Sequence, residues 1–274
     1  MPAPTQAEKA EQFQALHTQP GSFVIPNPWD GGSARILAGL GFKALATSSG
    51  AQAGTYGRRD GKVTRDEALA HCRQIVNATE LPVAADLERG FGQTPAEVGE
   101  TYRLAAEAGL IGASIEDATG NMESPLFSLE EATERVAAAV EAVRKLPFHF
   151  MLTARAEGFL RGNTDLDDAI KRLRAYEAAG ADVLFAPGLP DLEAIGTVCQ
   201  SVSKPVNFMV GVPNRSFNVA DLTAAGVKRI SLATSLYKAA MTGLLAAAKE
   251  TLEEGTFTYV ENSMPTRELM GYME

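Results

Sequence analysis

Three carboxylates are the side chains of this chain best placed to hold a cation: Asp86 and Glu88, two residues apart in AADLERGFG, and Glu116 in SIED. Each closes a short apolar run, which puts acidic groups at the ends of strands. Carboxylates gathered on neighbouring strand ends repel one another in a partly dry opening, and a divalent cation removes that cost. Mg2+ suits the oxygen donors, takes one or two carboxylates directly and keeps waters that a substrate carboxylate and 2-oxo oxygen can replace. Mn2+ would serve the same donors. An isolated Asp-x-Glu more often caps a helix or pairs with a neighbour, here Arg89. Glu116 on the adjacent strand is what favours the metal. Arg155 in LTARAEG adds a planar fork that matches a carboxylate, with Glu157 two residues on to hold it. Thr47, Ser48 and Ser49 offer hydroxyls and N–H groups to an anionic end, although such residues also simply shape turns. Together these groups suit making or breaking a bond beside the carbonyl of a small carboxylic acid, where enolate-like charge needs stabilising.

The elements that must position them repeat. LAGLGFKALATSS, AAEAGLIGASIED, YEAAGADVLFAPG and LTAAGVKRISLAT each run from an Ala/Leu-rich stretch through a glycine (Gly41, Gly109, Gly180, Gly226) into a short apolar run. Glycine readily takes the left-handed conformation just past a helix end, so each unit reads as helix, cap, strand. The spacing predicts strands at Ala44–Thr47, Gly112–Glu116, Asp182–Ala186 and Arg229–Leu232, with four more at Ser22–Pro26, Val83–Asp86, Phe148–Arg155 and Val206–Met209. Pro82, Pro147 and Pro205 precede three of these, as suits a strand's first residue. Eight strands alternating with helices describe a closed (β/α)8 barrel, whose chemistry sits on the loops after the strands. An open doubly wound sheet would carry a glycine-rich phosphate loop after its first strand; PNPWDGGSA stands there instead. The whole chain, 1–274, reads as one domain, with the barrel over about 20–253 and an oligomerisation segment over about 254–274. An extra helix over 5–18 precedes the first strand. The tail from Thr256 carries Phe257, Tyr259, Val260, Met264, Leu269, Met270, Tyr272 and Met273, enough apolar surface to predict a subunit contact.

A net charge of −9 and a pI near 5.0 argue against nucleic-acid and anionic-membrane partners. The polar N-terminus and the lack of a long apolar stretch make the cytoplasm the expected compartment.

In order and spacing, PNPWDGGSA (26–34), TSSGAQAGTYGRRDG (47–61), AADLERGFG (84–92), SIED (114–117), LTARAEGF (152–159), KPVNF (204–208) and AAGVKRISLATSLYKAA (224–240) resemble the isocitrate lyase/phosphoenolpyruvate mutase superfamily. The resemblance implies a barrel whose final helix is swapped between subunits of a dimer or tetramer, and Mg2+ at Asp86, Glu88 and Glu116. It adds Asp60 as a further acidic position near the metal and implies catalytic roles for Arg155, Asp60 and Glu116. Substrate contacts are implied for Thr47, Ser48, Ser49, Asp86, Arg155 and Asn207. The expected activity is C–C cleavage of a small 2-oxo or 2-hydroxy di- or tricarboxylic acid, like isocitrate or methylisocitrate lyase or an oxaloacetate decarboxylase. The alternatives are phosphonopyruvate-type P–C chemistry or a non-catalytic oxo-acid binder. Three departures stand out. The Lys-(Lys/Arg)-Cys-Gly-His lid of the lyases is replaced by EDATGNMESPLFSLEE, their tyrosine before the second loop is Leu45, and Glu88 stands where Asp is usual.

Other reactive side chains fit poorly. Cys72 and Cys199 lie in helix-like segments and read as buried apolar residues. His17, His71 and His149 fall at no strand C-terminus, and Tyr56 is a weak acid candidate in the loop before Asp60. Lys43, Lys204 and Lys228 all precede strands, the wrong end for a Schiff base.

Overall fold

The computed structural model describes residues 3–274. Eight short strands run in parallel: β1 Phe23–Ile25, β2 Leu45–Ala46, β3 Val83–Asp86, β4 Gly112–Glu116, β5 Met151–Arg155, β6 Val183–Phe185, β7 Val206–Met209 and β8 Arg229–Ser231. They pair in the order β1-β8-β7-β6-β5-β4-β3-β2. The remaining seam, between β1 and β2, is bridged by the Ala46 N–H donating to the Pro26 carbonyl at 3.1 Å. The result is a nearly closed (β/α)8 barrel, as the alternation of elements predicts. The fifth strand begins at Met151, not Phe148, because its ladder to β4 starts with the Met151 N–H on the Ile111 carbonyl at 3.0 Å.

The helices are α1 Gln6–Thr18, α2 Gly31–Gly39, α3 Ser49–Thr55, α4 Arg65–Ala78, α5 Pro95–Glu107, α6 Leu129–Arg144, α7 Leu166–Ala178, α8 Leu192–Ser201, α9 Val219–Ala224, α10 Ser235–Lys249 and α11 Thr266–Met273. The starts of α1 to α9 carry side-chain caps that satisfy otherwise orphaned N–H groups. Capping boxes join Thr5 with Glu8, Thr64 with Glu67 and Thr94 with Glu97. The four repeat glycines lie in the left-handed region, with φ of +94° at Gly41, +90° at Gly109, +102° at Gly180 and +97° at Gly226.

Apolar side chains of the strands and helices form one continuous core that includes the fully buried Tyr102, Tyr176, Leu45 and Ile115. A second, smaller cluster lies inside the barrel at the strand N-termini. There α1 presses Phe13 against Ile25, Ala84, Ile111, Met151 and Val183 and closes the lower end. Phe13 also meets His17 edge-on at 4.7 Å between ring centroids. The bottom is therefore plugged, and only the C-terminal mouth is available for chemistry.

The chain's end is partly covered by its own barrel. α11 lays Tyr272 against Gly39, and the Met273 carbonyl accepts from Arg35 Nη1 at 2.7 Å. α10, by contrast, buries none of its residues, and Leu244, Leu252 and Phe257 remain exposed. Among the described residues no helix is long and apolar enough to cross a membrane.

Candidate active site

Strand register assembles the site. Asp86 stands beside Ser114, Glu116 beside Arg155, and Arg155 beside Phe185. The mouth opens into a cavity of about 610 Å3 that Asp60, Asp86, Glu88, Glu116 and Arg155 all line. Arg155 is the hub. Its Nη1 donates to Asp86 Oδ1 at 3.0 Å, while Nε and Nη2 donate to Glu157 Oε1 at 2.9 and 2.7 Å. Nη2 also lies 3.3 Å from Glu116 Oε2, and the guanidinium carbon sits 5.2 Å from the centre of the Phe185 ring. The Arg155–Glu157 pair expected from spacing is thus present, and two of the three metal candidates share the same guanidinium.

Asp86 is held from a second side by Ser49, whose hydroxyl and N–H donate to Oδ2 at 2.9 and 3.2 Å. Thr47 and Ser48 are committed to structure. Thr47 Oγ1 accepts the Asp86 N–H at 3.0 Å, and Ser48 Oγ caps α3 through the Ala51 N–H at 3.3 Å. Both still border the cavity. Asp60 reaches in over Gly50, where a Cβ would stand 3.3 Å from Asp60 Oδ2 and 3.0 Å from Thr234 Cγ2. A larger residue there would crowd both side chains. Glu88 takes a left-handed φ of +50°, costly for a residue with a Cβ, and its carbonyl is pinned by the Glu116 N–H at 3.0 Å. Such strain collects where function over-determines the backbone.

The carboxylates perturb one another. Burial pushes Glu88 up to about 7, helped by the charges of Asp86 and Asp60. Asp60 is raised by burial and by Asp86. Burial also raises Glu116 well above the ordinary range, Arg155 offsetting only part of that. For Asp86 burial acts in the same direction, but Arg155 and the Ser49 donors outweigh it and leave it below the usual range. A carboxylate crowd this expensive to ionise fits a cation. Among the described residues no three His, Cys, Asp or Glu side chains stand close enough to enclose an ion unaided. Asp86, Glu88 and Glu116 thus share one cavity without forming a ready-made ligand cage.

Arg161, Asn27 and Arg229 escape a reading of strand ends, whereas Asn207, expected from the resemblance, lines the cavity. Arg161 lies 3.8 Å from Glu116 Oε1 and 3.5 Å from Glu157 Oε2, a few residues beyond the LTARAEGF motif. Asn27 ties the first loop to the second and eighth, donating to the Thr47 carbonyl and accepting the Leu232 N–H, both at 2.9 Å. Arg229 and Asn207 lie deeper, with Nε of the arginine donating to Asn207 Oδ1 at 2.8 Å. Period-two alternation from Ser231 could have placed Arg229 inside. Asp117, next to Glu116, is structural: it accepts from the Glu157 N–H, Arg172 and Tyr176.

The family model described as phosphoenolpyruvate phosphomutase matches residues 13–252. The chain belongs to that family, within the isocitrate lyase/phosphoenolpyruvate mutase superfamily. It is similar to a Burkholderia cenocepacia J2315 protein provisionally described as a lyase/mutase, whose structure is 50% identical, with 97% of this chain and 96% of that one covered and a TM-score of 0.95. It is also similar to 2-methylisocitrate lyase of Halalkalibacterium halodurans, 29% identical over 89% of this chain and 80% of the relative. The oxaloacetate decarboxylase of Bradyrhizobium diazoefficiens is 29% identical over 90% of this chain and 86% of its own length.

In this member of the family the segment after β4, where the resemblance places the lid, holds no cysteine, histidine or lysine. Residues after β4 fold back as a short hairpin, joined by the Thr119 N–H on the Pro125 carbonyl at 3.0 Å. Its Gly120, Asn121 and Met122 border the cavity, and none is an acid. Tyr56 is exposed, stacks with Arg58 and does not line the cavity. Burial raises the Cys72 thiol to about 12 and the Cys199 thiol to about 11, which removes both as nucleophiles. Lys228 donates to the Gly21 carbonyl at 2.6 Å, at the plugged end. Lys62 and Lys238 reach the rim but are exposed, unlike the desolvated lysine a Schiff base needs.

Proposed function

We propose that this chain is a divalent-metal-dependent carbon–carbon lyase that cleaves a small 2-oxo or 2-hydroxy di- or tricarboxylic acid. One observation carries the reading. Asp86, Glu88 and Glu116 border a single cavity at the C-terminal mouth, with the Arg155 guanidinium between two of them. Asp86, Glu88, Glu116 and Asp60 would hold Mg2+ or Mn2+, directly or through water. Bound there, the cation supplies charge neutralisation and Lewis-acid polarisation of a substrate oxygen.

The chain's own residues do the rest. Arg155, locked by Glu157, presents a preformed charged fork to a substrate carboxylate, with Arg161 beside it at the rim. The Ser49 hydroxyl and N–H, now on Asp86, are donors available to charge that develops near that carboxylate. Asn207 adds a polar contact deeper in. The lid hairpin presents no acid to the cavity, since its Glu123 does not line it. Loss of CO2 followed by protonation from water needs none, so decarboxylation of an oxaloacetate-like acid is favoured over a retro-aldol step that requires a lid cysteine. The relatives named oxaloacetate decarboxylase and 2-methylisocitrate lyase agree with this class. The exposed apolar face of α10 suits a second copy of the chain, making the working form a homo-oligomer in the cytoplasm.

The test is a panel assay with Mg2+ of oxaloacetate, isocitrate, methylisocitrate, dimethylmalate and phosphonopyruvate, each repeated in EDTA. Turnover of a carboxylic acid that stops in EDTA is expected. Cleavage of phosphonopyruvate alone would transfer the site to P–C chemistry, and turnover untouched by EDTA would overturn the metal.

A further inference from the structure

Barrel interiors of this fold are ordinarily filled by large branched side chains. Here the small side chains of Ala46, Ala84, Ser114 and Thr153 line the cavity, and so does Arg229, from the first residue of β8 and only 7% exposed. Its Nε donates to Asn207 Oδ1 at 2.8 Å and its Nη2 to Thr153 Oγ1 at 2.9 Å, both neutral acceptors. Among the described residues no carboxylate pairs with it, its hydrogen bonds use Nε and Nη2 alone, and the residue lines the cavity.

A buried cation without a counter-ion is expensive. The chain's other buried arginines show how that cost is usually met. Arg172 is paired with Asp117 and Asp168. Arg135 is satisfied by the Arg89, Gly92 and Gln93 carbonyls and lies over the Phe127 ring. Arg229 has neither. The groups around it make matters worse: Arg155 is a second cation, and His17 beneath it is kept neutral, down to about 3, by burial and by this same guanidinium. A negative charge is missing from the lower cavity.

We infer that Arg229 is the receptor for the distal carboxylate of the substrate, which makes the ligand a dicarboxylic acid spanning the barrel from Arg155 down to Arg229. The inference rests on the lyase reading for its upper half only. Asn207 and Thr153 orient the guanidinium by holding Nε and Nη2, leaving Nη1 for the incoming oxygen. Such a site selects by length and by charge at the far end, the part of the substrate that the lid does not touch.

The test compares equilibrium binding of malate and 2-hydroxyglutarate with that of lactate and 2-hydroxybutyrate, which lack only the far carboxylate, by calorimetry on the whole protein with Mg2+. The wild type should bind at least one diacid about 10- to 100-fold more tightly than its monoacid, as expected for one charge-assisted contact. In Arg229→Met that preference should vanish while monoacid binding holds. Should Arg229→Met not fold, Arg229→Lys decides: a preference reduced about threefold or more supports the site, and an unchanged preference overturns it. No diacid preference in the wild type, or one that survives in folded Arg229→Met, overturns it as well. Because binding rather than turnover is read, a diacid preference without catalysis would reject the lyase reading alone. Turnover of a carboxylic acid with no diacid preference would reject this inference alone.

Discussion

Replacing Arg155 by lysine tests whether the site is organised by one planar fork or merely by positive charge. The guanidinium makes three hydrogen bonds of 2.7–3.0 Å, to Glu157 and Asp86, and lies 3.3 Å from Glu116. An ammonium on a different stem keeps the charge but cannot meet three carboxylates in that geometry. Losing two of the three bonds, each charge-assisted and worth about 1.5–3 kcal/mol, places the loss of stability at about 3–6 kcal/mol. Urea unfolding at neutral pH measures it. In kinetics the same change should raise KM about 10- to 100-fold with a smaller effect on kcat, because the fork orients a substrate carboxylate in the ground state. A Glu157→Gln background separates the two contributions. If Glu157 holds the fork, Arg155→Lys should cost clearly less there than in the wild type. Wild-type stability and KM in Arg155→Lys, or costs that simply add in the double variant, would refute the reasoning.

Asp117→Ala should destabilise by about 3–5 kcal/mol, since it takes one of the two carboxylates from the buried Arg172 and leaves the Glu157 N–H and the Tyr176 hydroxyl without their acceptor; thermal unfolding checks it, and activity should fall because Glu157 loses its anchor. His17 gives an acid-side signature. Its folded value, about 3, lies below the ordinary 6.5, so the unfolded chain binds the extra proton. The full contribution is present above pH 6.5 and is lost as pH falls toward 3, at about 1.4 kcal/mol per pH unit. Between pH 6.5 and 5 the wild type should therefore lose about 2 kcal/mol more than His17→Phe, and equal pH slopes in urea titrations would remove His17 as the cause.

The barrel was legible because its signals are local and repeated. Gly41, Gly109, Gly180 and Gly226 mark four helix ends, and each adopts the left-handed conformation its place demands. Asp86, Glu116 and Arg155 were legible because the fold puts strand C-termini on one rim, so order along the chain becomes proximity. What the strand ends could not reveal was allegiance. Thr47 and Ser48 look like binding residues in sequence, yet their hydroxyls serve the Asp86 N–H and the start of α3. Arg229 enters the cavity from the first residue of β8, where a search of strand ends does not look. Arg161 owes its place to the turn after Glu157, whose path no periodicity encodes. In the tail, Tyr272 meets Gly39 of the same barrel, a contact that the apolar pattern does not specify.

The most direct measurement is Mn2+ binding followed by electron paramagnetic resonance, in the wild type, Asp86→Ala and Glu116→Ala. One bound ion per chain is expected in the wild type, displaced by Mg2+, with affinity falling at least tenfold in each variant as about 1.4 kcal/mol or more of ligand energy is lost. Three proteins that bind Mn2+ alike, or a wild type that binds none, would contradict a cation at this mouth and the lyase chemistry built on it.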